Sequence, residues 1–221
     1  VPSPMTFPVD NLIMQKVSEG FLGDLLSVDM RVSTPAFIDR NAPLHWRHDR
    51  QLSGLNIMTM GIWYEATLRW TPGVSAVMAR TRTFVPMRRG EDGLMKPATV
   101  PDHVEILGDL PGGAVLHFQV SSVLGLTNGP EFWLYGSEGT LRYEGSTKTL
   151  FGGRRGDKAL TPLDNPPDTQ YRWRVEEEFV GAIRGQEPVT RTNFADGVRY
   201  MAFTEAVQRS AAEGKLVPVL V

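Results

Sequence analysis

The residues with the most chemical potential lie in one polar segment, Pro35–Ser53, which separates a predicted strand from a predicted helix. The segment holds two histidines three positions apart, His45 and His48, with Asp49 next to them. Two imidazoles beside a carboxylate could begin a metal site, but such a site needs a third and a fourth ligand, and no spacing in the sequence supplies them. We therefore interpret these histidines as polar loop residues. Connections of this length without regular structure are often functional, so the segment is the first candidate for a site.

The sequence lacks the motifs of several familiar enzyme classes. It contains no glycine-rich dinucleotide or P-loop fingerprint, no nucleophile elbow and no H-E-x-x-H zinc motif. Cysteine is absent, which excludes thiolate chemistry and disulfides. The run Gly152–Gly156 is basic and glycine-rich, but no helix start follows it, so we interpret it as a flexible loop. A net charge of −2 gives no reason to expect nucleic acid or an anionic membrane as a partner.

The hydrophobic pattern predicts a run of strands, with helices at both ends of the chain and one in the middle. The predicted helices are Val9–Glu19, Asn56–Trp70, Tyr171–Arg184 and Phe194–Glu213. The predicted strands are Leu26–Thr34, Val74–Val85, Val104–Leu107, Ala114–Val123, Glu131–Tyr135 and Thr140–Tyr143, with short candidates at Thr147–Phe151, Lys158–Leu163 and Val217–Val219. Long helices do not alternate with strands throughout. The expected fold class is therefore α+β, with an open, largely antiparallel or mixed β-sheet and helices packed on one face.

The same pattern gives finer expectations about packing. In the last helix we expect four residues to face inward: Phe194, Val198, Met201 and Ala202. We interpret Glu176–Glu178 as a solvated helix face, and Arg88 in the loop Pro86–Pro101 as a surface residue. The uncovered sheet face is expected to expose a row of apolar side chains, which predicts a homo-oligomer formed through that face.

Several short motifs resemble, in the same order, the C-terminal domain of one enzyme family. Trp46-Arg47-His48-Asp49, Ser53-Gly54 and Gly61-Ile62-Trp63 resemble its run W-R-x-D followed by G-G-G-x-L-x-D-x-G-x-H. Gly20–Leu26 resembles the entry to its first strand, Gly136–Leu141 resembles a hairpin, and Phe179–Val217 resembles its closing helices. This is the glucose-fructose oxidoreductase / inositol dehydrogenase / rhizopine-catabolism (Gfo/Idh/MocA) family of oxidoreductases.

The resemblance implies that residues 1–221 form a single C-terminal domain that binds substrate and mediates oligomerisation. The N-terminal Rossmann domain, which in the family binds NAD or NADP and carries the catalytic lysine, is expected to lie outside this chain. We therefore expect NAD or NADP in a full-length protein, and neither cofactor binding nor turnover by this chain alone. The implied substrate is a sugar, a cyclitol or a related polyol. We expect a cytoplasmic protein with no membrane segment.

Two positions depart from the pattern of the family. Alignment through Gly61 places Thr59 and Trp63 where the family has Asp and His, four residues apart on one helix face. Asp and His can accept a proton from a substrate hydroxyl as hydride leaves, whereas Thr and Trp cannot at neutral pH. We therefore assign no catalytic residue in this chain. A non-catalytic carbohydrate-binding or scaffold member of the family stays open as the alternative.

The candidate substrate-binding residues implied by the resemblance are His45, Arg47, Asn56, Thr59 and Trp63. Each also has a purely structural interpretation. Trp63 could be a core residue, Thr59 could bond its own helix backbone, and Arg47 could pair with Asp49 or with a loop carbonyl. No residue is assigned to a metal or to a cofactor.

Overall fold

Helices flank a run of strands in the computed structural model, which describes residues 7–34, 36–191 and 193–220. Pro35, the first residue of the polar segment, lies outside these ranges. The described helices are α1 (Asp10–Ser18), α2 (Arg50–Ser53), α3 (Met60–Thr67), α4 (Val175–Ile183) and α5 (Phe194–Glu213). The described strands are β1 (Leu25–Ser33), β2 (Ala76–Arg82), β3 (Met87–Arg89), β4 (Met95–Pro97), β5 (His103–Asp109), β6 (Val115–Ser121), β7 (Glu131–Gly136), β8 (Gly139–Glu144), β9 (Thr149–Arg154), β10 (Thr161–Pro162) and β11 (Val217–Pro218).

Nine of these strands form one open sheet, in the order β10-β9-β8-β7-β1-β6-β5-β2-β11. The central strands β1 and β6 are parallel, with Ser33 opposite Ser121, and every other neighbouring pair in this sheet is antiparallel. The parallel pair brings the carboxyl ends of two strands to one edge of the sheet. The predicted fold class, α+β with an open mixed sheet, is confirmed.

One face of the sheet is buried because apolar residues alternate with polar ones along its strands. The buried side chains of β1, β5 and β6 include Met30, Ile106 and Phe118, each fully shielded from solvent. Residues of α1, α3 and α5, among them Ile13 and Phe203, belong to the same core. Helices α1, α3 and α5 therefore pack on one face of the sheet, as predicted.

Two motifs of the family resemblance lie against each other in the structure. The turn between β7 and β8 runs from Gly136 to Gly139, and it packs on the segment that enters β1. A Cβ at Gly136 would overlap the carbonyl of Leu22, and a Cβ at Gly139 would overlap the carbonyl of Phe21. Only glycine permits this approach of two backbones, which gives both motifs a physical reason.

Helix α5 has well-defined ends and is tied to the sheet edge. The Asn193 side chain accepts from the Asp196 amide at 3.0 Å and the Asp196 carboxylate accepts in return from the Asn193 amide, while Gly214 ends the helix in the left-handed region. Within the helix the buried Ser210 hydroxyl accepts from the Ala79 amide at 2.8 Å and donates to the Lys215 carbonyl at 2.6 Å. These bonds fix α5 against β2.

The predicted inner face of α5 is wrong for three of its four residues. Phe194 is 84% exposed, and Val198 and Met201 are also exposed. The inward face instead carries Gly197, Tyr200, Phe203, Thr204, Ala206, Val207 and Ser210. Both faces of this helix are rich in apolar or small residues, so periodicity alone could not choose between them.

The prediction of a solvated face at Glu176–Glu178 is wrong for Glu178 on α4. This residue is buried, and its carboxylate accepts from the amide and hydroxyl of Thr190.

The uncovered sheet face is more polar than predicted. Between the buried positions of the central strands, the outward side chains are Asp29, Glu105, His117 and Gln119. His117 lies 3.1 Å from Glu105 and 3.6 Å from Asp29, and Gln119 donates to Glu105 at 2.6 Å. Leu107, opposite His117 in the register, and Val115 are exposed apolar residues beside this network. The uncovered face therefore combines a hydrogen-bonded polar network with exposed apolar side chains, where a row of apolar side chains was expected.

Candidate functional site

A cleft of about 460 Å³ opens at the carboxyl ends of the parallel strands β1 and β6. The strand ends supply Ser33 and Ser121, and the segment before β5 supplies Asp102. The polar segment and the start of α3 form the remaining wall, with His45, Arg47, His48, Met58, Thr59 and Trp63. Ligands commonly bind beyond the carboxyl ends of parallel strands, where the loops diverge. The cleft is therefore the candidate site.

Four of the five predicted substrate-binding residues line this cleft: His45, Arg47, Thr59 and Trp63. Asn56 does not line it. The Asn56 side-chain oxygen accepts from the Gly61 amide at 2.9 Å, and its carbonyl accepts from the Ser53 hydroxyl. Asn56 therefore shapes the entry to α3. Helix α3 begins at Met60, not at Asn56 as predicted, and the Asn56 oxygen satisfies one amide of its first turn.

The two histidines of the polar segment cap the same short turn. Residues Trp46–His48 form one turn of 3₁₀ helix. The His45 Nδ1 accepts from the Arg47 amide at 3.2 Å, and the His48 Nδ1 accepts from the His45 amide at 3.1 Å. A ring nitrogen that accepts carries no hydrogen, so in each neutral imidazole the proton sits on Nε2. Both rings are therefore held as Nε2–H donors.

The local environment favours the neutral form of His48. Partial burial of the ring lowers the pKa of His48 below its ordinary value, and the charge of Arg88 and the neighbouring His45 ring lower it further. The carboxylate of Asp102 acts in the opposite direction and is outweighed. His48 thus faces the cleft as an uncharged donor at neutral pH.

The neighbouring charged residues Arg47 and Asp49 make different contacts. The Arg47 guanidinium lies over the Trp46 ring, 4.2 Å from its centroid, where a cation–π contact can form. Asp49 instead accepts from the Gln51 amide at 2.9 Å and caps α2. The guanidinium is exposed at the mouth of the cleft.

A two-stranded ribbon that sequence reasoning missed holds the polar segment in place. Strands β3 and β4 lie within the predicted loop Pro86–Pro101. Arg88, predicted at the surface, is 6% exposed, and its guanidinium donates to the carbonyls of Asp39 and Ala42 at 3.2 Å each. The amides of Thr99 and Val100 both donate to the His48 carbonyl. The ribbon therefore positions the histidine turn from outside the cleft.

Thr59 and Trp63 interact directly. The Trp63 indole Nε1 donates to the Thr59 Oγ1 at 3.0 Å, one helical turn away. The other edge of Trp63 packs on Phe7 and Phe132, with ring centroids 5.7 Å and 6.0 Å distant. Trp63 is thus both a core residue and a cleft residue. The pair forms a neutral wall with no group that accepts a proton at neutral pH.

The residue before this pair has an uncommon backbone. Met58 lies in the left-handed region with φ of 52°, which costs a residue with a side chain on the order of 1–2 kcal/mol. Such conformations persist where the surrounding structure imposes them, often at functional sites. Here the turn directs both Met58 and Thr59 into the cleft.

Asp102 is the acidic residue among the described cleft residues. It is buried, and its two carboxylate oxygens accept from the amides of Phe84 at 2.8 Å and Val85 at 3.0 Å. Sequence reasoning missed Asp102, although an Asp that follows Pro101 just before a strand is a usual turn signal. Its bonding shows a structural role, since it fixes the segment that follows β2.

The glycine-rich run at the end of β9 lacks the geometry of a phosphate-binding turn. The glycine-rich run Gly152–Gly156 ends β9 and leads into β10, with no helix start for a pyrophosphate to meet. In the described ranges, no group of three or more His, Asp or Glu side chains could hold a metal ion. No helix in the described part of the chain is long and apolar enough to cross a membrane.

The fold places this protein in the class of α+β domains with an open mixed sheet and helices on one face. Residues 12–142 match the GFO/IDH/MocA C-terminal domain. The chain belongs to this family. Comparison with curated proteins gives no match.

Solved structures with the same fold include oxidoreductases and a super-repressor mutant. Levoglucosan dehydrogenase in complex with NADH and L-sorbose is 22% identical, with a TM-score of 0.85 over 96% of this chain and 64% of that one. An NAD binding oxidoreductase from Klebsiella pneumoniae is 19% identical, with a TM-score of 0.84 over 97% of this chain and 64% of that one. The super-repressor mutant of Gal80p from Saccharomyces cerevisiae is 17% identical, with a TM-score of 0.75 over 96% of this chain and 62% of that one. The chain thus spans less than two thirds of each of these structures, and at such identities the likeness shows the fold alone.

Proposed function

We propose that this domain binds a sugar, cyclitol or related hydroxylated compound in the cleft, as the substrate-binding part of an NAD(P)-dependent oxidoreductase. The observation that carries the proposal is the convergence of His45, Arg47, Thr59 and Trp63 at the carboxyl ends of the parallel strands. Imidazole N–H groups and a hydroxyl suit the oxygens of a polyol, and an indole face suits its C–H groups. The complex of levoglucosan dehydrogenase with NADH and L-sorbose supports this choice of ligand and cofactor.

The binding step is tested with the 221-residue chain itself. Titration of a panel of sugars, inositols, sugar acids and sugar phosphates, followed by nuclear magnetic resonance of the five indole N–H signals, should shift the Trp63 signal selectively. Thr59→Val removes the acceptor of the Trp63 indole and should weaken binding about 5- to 10-fold, the effect of one hydrogen bond. Thr140→Val, on the uncovered sheet face, is the matched control and should bind normally. A panel that shifts no indole signal would refute the proposal.

The catalytic part of the proposal concerns a longer protein. In it, NAD or NADP is held by a nucleotide-binding domain outside this chain, and this chain alone is inactive. We keep a non-catalytic binding or scaffold role as the second candidate, because the Thr59–Trp63 pair accepts no proton and because one structure with this fold is a repressor mutant. Steady-state assays of a protein that includes the nucleotide-binding domain decide between them. Turnover of any polyol with NAD or NADP excludes the second candidate.

We also propose that the domain self-associates through its uncovered sheet face. That face combines stacked aromatic rings, such as Trp133 and Tyr135, with the fixed charges of Arg142 and Glu131. Aromatic residues and arginine are typical of the centres of protein interfaces. Sedimentation at micromolar concentration should show a dimer or larger species that Tyr135→Glu disrupts. Phe179→Glu, an exposed position on α4, is the control, and a monomer in every sample would refute this proposal.

A further inference from the structure

The end of the cleft formed by residues 45–48 offers hydrogen-bond donors almost exclusively. The Nδ1 atoms of His45 and His48 already accept backbone amides, so each ring presents only Nε2–H to a ligand. The Arg47 guanidinium adds further N–H groups and a full positive charge. A neutral polyol needs acceptors as well as donors for its hydroxyl groups. An anionic oxygen group needs donors alone.

A buried cation behind this turn strengthens the preference for negative charge. Arg88 is 6% exposed and donates to two carbonyl oxygens, but no carboxylate of the described residues forms an ion pair with it. Its Nε is buried and has no partner within the described ranges. A buried charge without a counter-ion projects its field into its surroundings. That field reaches the turn, because Arg88 is one of the groups that lower the pKa of His48.

The acidic residue of the cleft offsets this field only partly. Both oxygens of Asp102 are bound by the amides of Phe84 and Val85, which stabilise and localise its negative charge. Asp102 lies beside the strand ends, whereas the donors belong to the loop wall. The positive charges of Arg47 and Arg88 therefore outnumber the single carboxylate of Asp102, whose oxygens are already bound by amides.

We propose that the hydroxylated ligand of the cleft carries an anionic oxygen group, a carboxylate or a phosphate, bound by His45, Arg47 and His48. This inference rests on the function proposed above and specifies its substrate class as sugar acids or sugar phosphates. The ring of the ligand lies toward Trp63 and Met58, which form the apolar wall of the same cleft. Charge-assisted bonds to the anionic group supply most of the affinity.

The test compares ligands that differ only in charge. Glucose, galactose and mannose are titrated into the 221-residue chain by calorimetry, each beside its uronate and its 6-phosphate, with inorganic phosphate as a further ligand. At least one anionic member of a pair should bind ten times more tightly than the neutral sugar. The better anion identifies the carboxylate or the phosphate as the group recognised.

Variants separate recognition of the anion from a structural role. In His45→Asn and His48→Asn the side-chain oxygen can replace Nδ1 as acceptor, while the Nε2–H donor is lost. These variants should keep the fold. The ratio of the affinity for an anionic sugar to the affinity for its neutral counterpart should fall about 10-fold. In Arg47→Gln this affinity ratio should fall about 10- to 100-fold, which is the range for hydrogen bonds to a charged group. Arg50→Gln, an exposed arginine outside the cleft, should leave the ratio unchanged.

Each remaining outcome counts against the inference in a distinguishable way. Equal affinity for neutral and anionic sugars overturns the anion preference and leaves the proposed sugar-binding function in place. Inorganic phosphate that binds as tightly as every sugar phosphate shows an adventitious anion contact and overturns the proposal. Failure of all these ligands to bind overturns both the inference and the proposed function.

Discussion

Replacement of Asp102 by Asn should destabilise the domain by a predictable amount. The carboxylate is 3% exposed and accepts two backbone amides, at 2.8 Å and 3.0 Å. Asparagine keeps one accepting oxygen, so its NH₂ group would face the second amide and leave two donors opposed. Loss of one bond to a charged acceptor, with a buried donor left unpaired, costs about 1.5–3 kcal/mol. For a domain of this size that corresponds to a melting temperature lower by about 3–12 °C.

Urea denaturation followed by circular dichroism measures this loss, with Asp109→Asn as the matched control. Asp109 ends the same strand that Asp102 precedes, but it is exposed, so its replacement should change the free energy of unfolding by less than about 0.5 kcal/mol. Because Asp102 raises the pKa of His48, the variant should also titrate His48 at lower pH by nuclear magnetic resonance. Equal stability of the two variants and an unmoved His48 titration would refute the role assigned to Asp102.

Three further predictions concern the core, the outer helix face and pH. Phe203→Ala should lower the free energy of unfolding by about 3–5 kcal/mol in urea, because this buried ring stacks on Tyr64 with centroids 3.7 Å apart; a loss below about 1 kcal/mol would contradict that packing. Phe194→Ser should change stability by less than about 0.5 kcal/mol, since the ring is 84% exposed, and a larger loss would mean that it is packed. Burial lowers the pKa of His48 in the folded protein. Between about pH 6.5 and that lower pKa, the unfolded chain therefore binds more protons than the folded one, and the free energy of unfolding falls as pH decreases through this window. His48→Asn should lack this part of the pH dependence, and identical curves for both proteins would contradict it.

Local signals in the sequence were enough for the fold class and for most of the described elements. Alternating residues gave the strands of the central sheet, and helix α5 was predicted with the bounds observed, because Gly214 marks its end. Such features depend on neighbours in the sequence. The last helix also shows the limit of this reasoning, since its apolar residues occupy two faces and the positions of β2 and α3 decide which face is buried.

The parts of the site that escaped prediction depend on contacts between distant segments. Arg88 looked like a surface residue because the carbonyls that receive its guanidinium belong to Asp39 and Ala42. Asp102 and the ribbon β3–β4 gave no motif to recognise. Conversely, Asn56 belongs to the motif region, but a hydrogen bond to the start of α3 turns its side chain away from the cleft. Whether the four predicted residues in the cleft bind substrate stays a prediction.

The central place of β1 has a consequence for the time course of folding. Although β1 is the first described strand, its neighbours are β6 and β7, so Ser27 must pair with Val115 and Val28 with Leu134. These pairings close long loops, and chains dominated by such contacts fold slowly, in milliseconds to seconds. During synthesis β1 leaves the ribosome long before either partner. Its apolar face, which includes Met30, would then be exposed to solvent until the partner strands are synthesised. This strand is therefore where a chaperone or an aggregation contact would first bind the nascent protein.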